Sequence, residues 1–203
     1  KLPRTIPLNC IQDMLAYTYK QHFIACTKYQ KEVALRNIVV LELLFSTGMR
    51  VSEISNLKIS AINFGDNTIC IFGKGSKERI MCINDNLSKT ISNYLTVRSR
   101  KTDYLLVNRL GNRLSEQSIR YMVNDYANAV GAPLHITPHM FRHTFATELH
   151  NEDVDIRYIQ QFLGHSSIAT TQIYTHISTS KTREILESKH PRNKMKLSVQ
   201  EVF

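Results

Sequence analysis

Residues 31–47 read KEVALRNIVVLELLFST, and from Ile38 to Phe45 the run is apolar on every side apart from Glu42. A helix without a polar face belongs inside a core. Gly48 follows, a residue that accepts the left-handed cap conformation, so Arg50 is expected on a held turn just beyond a buried helix. Residues 8–20, LNCIQDMLAYTYK, show one-sided helical spacing. Helical periodicity resumes at about 86–98, 115–130, 138–150, 154–163, 168–177 and 180–188. Two β-rich runs, 68–72 and 78–83, flank GKGSK, whose glycines suit a hairpin connection. No internal repeat or low-complexity segment interrupts this pattern. The fold class expected is mainly α with a small antiparallel β-sheet (α+β). One domain covers 8–188, a linker-like KLPRTIP covers 1–7, and a basic tail covers 189–203. The opening reads as a piece lying downstream of another domain.

Composition narrows the partner. The chain has 203 residues, 42% of them hydrophobic, enough for one sizeable core. It carries 26 Lys and Arg against 17 Asp and Glu, a formal charge of +9, which favours a polyanion and nucleic acid first. Cysteines at 10, 26, 70 and 82 fit no metal or redox spacing. They read as small apolar residues of a reduced, cytoplasmic protein. No apolar run approaches the roughly 18 residues of a membrane span, and no cofactor motif is present.

Candidate chemistry concentrates in TPHMFRHTFATELH, residues 137–150. Thr137 is a candidate cap and Pro138 suits a first helical turn. His139 and Arg142 lie three apart, on one helix face. An imidazole and a guanidinium at a helix start suit an anion, because the guanidinium forks two phosphate oxygens. His139 and His143 have the i, i+4 spacing of a zinc pair, but the H-E-x-x-H glutamate is absent, so no metal is expected. Glu53, three residues after Arg50, either orients it or forms an ordinary surface ion pair. Lys74 sits at the hairpin tip, solvated or reaching into a phosphate site. GKGS lacks the Walker spacing, which argues against nucleotide binding. His165 follows a Gly in an inter-helix turn. Tyr174 lies about 100° round its helix from Ile173, on a flank shared with Thr170 and Thr171. A packed ring and an attacking hydroxyl both fit that position.

Taken in order, TGMRVSE, GKGSKER, HMFRHTFAT, LGH and YTH resemble the catalytic domain of the tyrosine recombinases, the phage integrase and Xer-like family. The resemblance spans about residues 8–188 and fills six family positions with Arg50, Lys74, His139, Arg142, His165 and Tyr174. It implies the family's catalytic-domain fold and cleavage and rejoining of double-stranded DNA at specific sites. It also implies a missing N-terminal DNA-clamping domain, a tetramer assembled on DNA, and a C-terminal tail docking on a neighbouring subunit.

That chemistry suits the residue types. A pentavalent phosphorus gathers negative charge, and without metal or ATP the arginines must stabilise it. Tyr174 would attack and become a 3′-phosphotyrosine, having lost a proton from a group of ordinary pKa near 10. His139 is the nearest base, with His165 either sharing that role or donating to the phosphate. Lys74, as the family implies, would protonate the 5′-hydroxyl leaving group. A type IB topoisomerase, rejoining the same strand, and a non-catalytic DNA-binding relative are the alternatives.

Overall fold

The computed structural model describes residues 5–72, 78–99, 102–164 and 179–195. Among these, the elements run α1 (Leu8–Ile24), α2 (Lys28–Thr47), α3 (Val51–Ser55), β1 (Ile62–Asn63), β2 (Thr68–Phe72), β3 (Glu78–Cys82), α4 (Asp85–Val97), α5 (Glu116–Ala129), α6 (Pro138–Asn151), α7 (Ile156–Leu163) and α8 (Thr179–Lys189). A 3₁₀ turn, Pro191–Lys194, follows α8. The mainly helical fold with a small sheet is as expected.

Helix α2 is the central strut. Thr27 and Gln30 form a reciprocal capping box at its start. From Ala34 to Thr47 only Arg36 escapes burial, because α1, α4 and α6 pack around it. Gly48 ends the helix at φ 58°, in the left-handed region. A Cβ there would lie 2.6 Å from Phe145 Cδ1, so the turn that follows is pressed onto α6. Glu42, the exception in the apolar run, is fully buried and faces Arg192, with Nη2 2.9 Å from Oε1 and Nε 3.0 Å from Oε2.

The sheet has order β1-β2-β3, all antiparallel. The β2–β3 register runs from Thr68↔Cys82 to Phe72↔Glu78, so residues 73–77 connect the two strands as the glycine pattern indicates. Ile69, Ile71 and Met81 face the core. Arg79, paired with Ile71, lies on that same face.

Several expectations need correction. Ile6 lies within the expected linker, yet it is buried, and its N–H donates to Thr144 Oγ1 at 2.8 Å. The expected tail boundary at 189 also falls short of the packed body. His190, Arg192 and Met195 are buried, because Ser46 O and the Glu42 carboxylate inside the core need their donors. Helix α1 runs to Ile24 rather than 20. Thr137 occupies the cap position of α6 without a side-chain capping bond, its carbonyl accepting from Met140 N instead. Of the four cysteines read as small apolar residues, Cys10 and Cys82 are buried and Cys26 is exposed. The expected helix at 168–177 lies outside the described residues.

Candidate active site

Arg142 lies on α6 next to the buried Phe141, and it is only 7% exposed. Its Nη1 donates to Gly48 O at 2.8 Å and its Nη2 to Leu163 O at 2.6 Å. Both acceptors are helix-terminal carbonyls that would otherwise lack a partner. Two of five N–H donors are thus spent on holding the group in place. Burial lowers its pKa to about 10, with Arg50 and Arg79 adding repulsion and Glu53 opposing them. The group remains a cation at neutral pH.

Arg50 begins α3, directly after the turn set by Gly48 and the buried Met49. Its backbone N–H donates to Glu53 Oε2 at 2.8 Å and its Nη1 to Oε1 at 3.1 Å. Its side chain stays 44% exposed while that of Glu53 is 5% exposed. The carboxylate is therefore a buried anchor under a partly open guanidinium, and the ordinary surface ion pair is ruled out for Glu53. Burial pushes the Glu53 carboxyl up, but hydrogen bonds from Arg79 and Arg50 outweigh it and hold the group below its ordinary range.

His139 lies exposed in the first turn of α6. With Arg50 and Arg142 it lines one cavity of about 710 Å³. The opposite wall comes from α5, where Gln117, Arg120 and Tyr121 face the opening. Three guanidinium groups, Arg50, Arg79 and Arg142, gather around the single carboxylate of Glu53. The cluster keeps a net positive charge and suits an anion. Among the described residues no group of three His, Cys, Asp or Glu side chains is arranged to hold a metal. No described helix is long and apolar enough to cross a membrane.

Arg50, Glu53, His139 and Arg142 are therefore brought together, while Lys74, His165 and Tyr174 lie outside the described residues. The chain reaches these positions from fixed points. β2 and β3 bracket 73–77, and Leu163 O, two residues before His165, is held by Arg142. Sequence reasoning overlooked Arg79. The run ERIMC does not alternate in polarity, so only the β2–β3 register, which pairs Arg79 with the buried Ile71, places it on the core face.

The sequence profile of the phage integrase family matches residues 6–181. A protein named tyrosine recombinase from Agathobacter rectalis is 52% identical over 195 residues, covering 94% of this chain and 64% of that protein. Tyrosine recombinase XerC of Staphylococcus aureus is 42% identical over 165 residues, covering 79% of this chain and 55% of that protein. The chain thus spans between half and two thirds of the length of these relatives. Among solved structures, XerH recombinase bound to palindromic difH substrate in a post-cleavage complex superposes with a TM-score of 0.71 at 29% identity, covering 91% of this chain and 52% of that one. Family profile, close relatives and the cavity of paired arginines agree: the chain belongs to the phage integrase family, the tyrosine recombinases.

Proposed function

We propose that this chain is the catalytic part of a site-specific recombinase that cleaves and rejoins double-stranded DNA through a 3′-phosphotyrosine intermediate. The observation that carries the reading is the cavity shared by Arg50, His139 and Arg142, with Glu53 buried beneath it. Two anchored guanidiniums suit the two non-bridging oxygens of a phosphodiester, and their fixed donors match the charge that grows as phosphorus becomes pentavalent. Tyr174 attacks phosphorus, the phenolic proton passes to His139 or His165, and the 5′-oxygen leaves with a proton from Lys74. A 5′-hydroxyl from a second strand then reverses the sequence. Because the phosphotyrosine conserves the ester linkage, no ATP is needed, and the cationic cluster replaces a metal.

The reading extends to the whole protein. It binds duplex DNA in the cytoplasm, at the nucleoid, through its excess of basic residues, and assembles as a tetramer on its sites. Its C-terminal tail docks on a neighbouring subunit. The relative solved with its difH substrate supports the DNA assignment.

The test is a nicked suicide duplex carrying candidate sites, incubated with excess chelator. Wild-type protein should form a denaturation-resistant adduct, and Tyr174→Phe should bind the duplex without forming one. An adduct in Tyr174→Phe would overturn the nucleophile, and loss of the wild-type adduct with chelator would overturn the metal-free mechanism. Exchange between two labelled duplexes separates recombination from topoisomerase-like resealing.

A further inference from the structure

We infer that Arg79 is a positioning residue that aligns Arg50 with strand β3, which follows Lys74 in the chain, and with the end of α7, which precedes His165. The inference rests on the proposed reading of the cavity as a phosphodiester-cleaving site. Arg79 lies on β3, five residues after Lys74, and its side chain is 9% exposed. All three of its guanidine nitrogens are engaged. Nη1 donates to Glu53 Oε1 at 2.9 Å, Nη2 to Glu53 Oε2 at 2.8 Å, and Nε to Phe162 O at 2.8 Å.

The geometry makes Glu53 a shared hinge. Each carboxylate oxygen takes one bond from Arg79 and one from Arg50. The two-point fork fixes the plane of the carboxylate, and that plane sets the direction in which Arg50 Nη1 is held. The same guanidinium lies beneath the α7 terminus, since a Cβ on Gly164 would come 3.0 Å from Arg79 Nη1. One buried cation thus ties three segments: the strand after Lys74, the helical turn after Arg50, and the turn before His165. Arg79 is absent from the cavity wall, so it acts on the reaction through the groups it holds. A lysine offers one charged point instead of a planar fork and leaves the carboxylate plane unset.

The experiment compares Arg79→Lys and Arg79→Met with wild type in the 203-residue chain. It measures melting, duplex affinity, and single-turnover cleavage of a suicide duplex bearing either the normal 5′-oxygen or a 5′-bridging sulfur. The expected result for both variants is a cooperative melt, affinity within about threefold of wild type, and oxygen-substrate cleavage slowed about 10²–10³-fold, the size of one lost preorganised donor. Sulfur should recover only part of the rate, because it dispenses with the acid from Lys74 but leaves Arg50 misdirected. Adding Glu53→Gln to Arg79→Lys should cost little more than either change alone.

Cleavage by Arg79→Lys within threefold of wild type overturns the role. So do additive losses in the double variant, full recovery on sulfur, or cleavage that falls only in step with affinity and melting. Should Arg79→Met fail to fold, Arg79→Lys decides. Wild-type protein that forms no adduct overturns the proposed function together with this role, whereas an active wild type with an unimpaired Arg79 variant overturns this role alone.

Discussion

The carbonyl of Gly48 accepts a 2.8 Å hydrogen bond from Arg142 Nη1, so the residue that stops the core helix also holds one arm of the cationic site. Gly48→Ala brings a Cβ to 2.6 Å from Phe145 at a backbone φ of 58°. The expected outcome is a loss of about 2–3 kcal/mol, combining backbone strain with overpacking. Urea denaturation measures that loss, and a parallel cleavage assay should show a slower reaction even where the protein remains folded.

Glu42 and Arg192 form a buried pair, with side chains 0% and 10% exposed. Arg192→Met strands a carboxylate inside the core and should cost about 3–5 kcal/mol. Combining it with Glu42→Gln should return a large part of that stability, since a neutral amide is cheaper to bury. A denaturant series on the single and double variants checks both steps; equal stability of the two would count against the pair.

His190 sets an acid limit on stability. Its Nδ1 accepts from Arg192 N at 3.0 Å, which places the ring proton on Nε2, 2.7 Å from Ser46 O. Burial lowers the ring's pKa to about 4, with the Ser46 bond and Glu42 opposing and Arg192 adding to the fall. A second proton would have to sit on Nδ1, against the Arg192 N–H. The unfolded chain, with an ordinary histidine value near 6.5, therefore binds more protons across this window. Stability from this group is complete above about pH 6.5 and is lost as pH falls towards about 4, on the order of 3 kcal/mol in all. Urea midpoints taken between pH 7 and 4.5 should show the decline, and His190→Gln should flatten it.

Lys74→Ala should slow cleavage of normal DNA by about 10²–10⁴-fold, the usual range for a lost general acid. A 5′-bridging sulfur leaves without protonation and should restore most of the rate. No recovery in single-turnover assays would remove Lys74 from the acid's role.

Much of the fold was legible because it follows local periodicity. The all-apolar face of α2, its glycine stop and the strand–glycine–strand pattern each depend on residues close together in the chain. Arg50, Glu53, His139 and Arg142 could be named from short motifs for the same reason. Arg79 and the closing segment could not. Arg79 looks like one more basic residue in KGSKER until its register places it on the apolar side of β3. The polar sequence HPRNK hides burial because the groups that satisfy His190 and Arg192, Ser46 and Glu42, come from a helix far earlier in the chain.

That distance matters during synthesis. Glu42 precedes its counter-ion by 150 residues, which at ribosomal speeds of about 5–20 residues per second amounts to roughly 8–30 s. Until Arg192 emerges, the Glu42 carboxylate has neutral donors from Tyr19 and Asn86 but lacks the cation that pairs with it. The last donor to the buried carboxylate is therefore also among the last described residues to be made, and the interior closes from its C-terminal end.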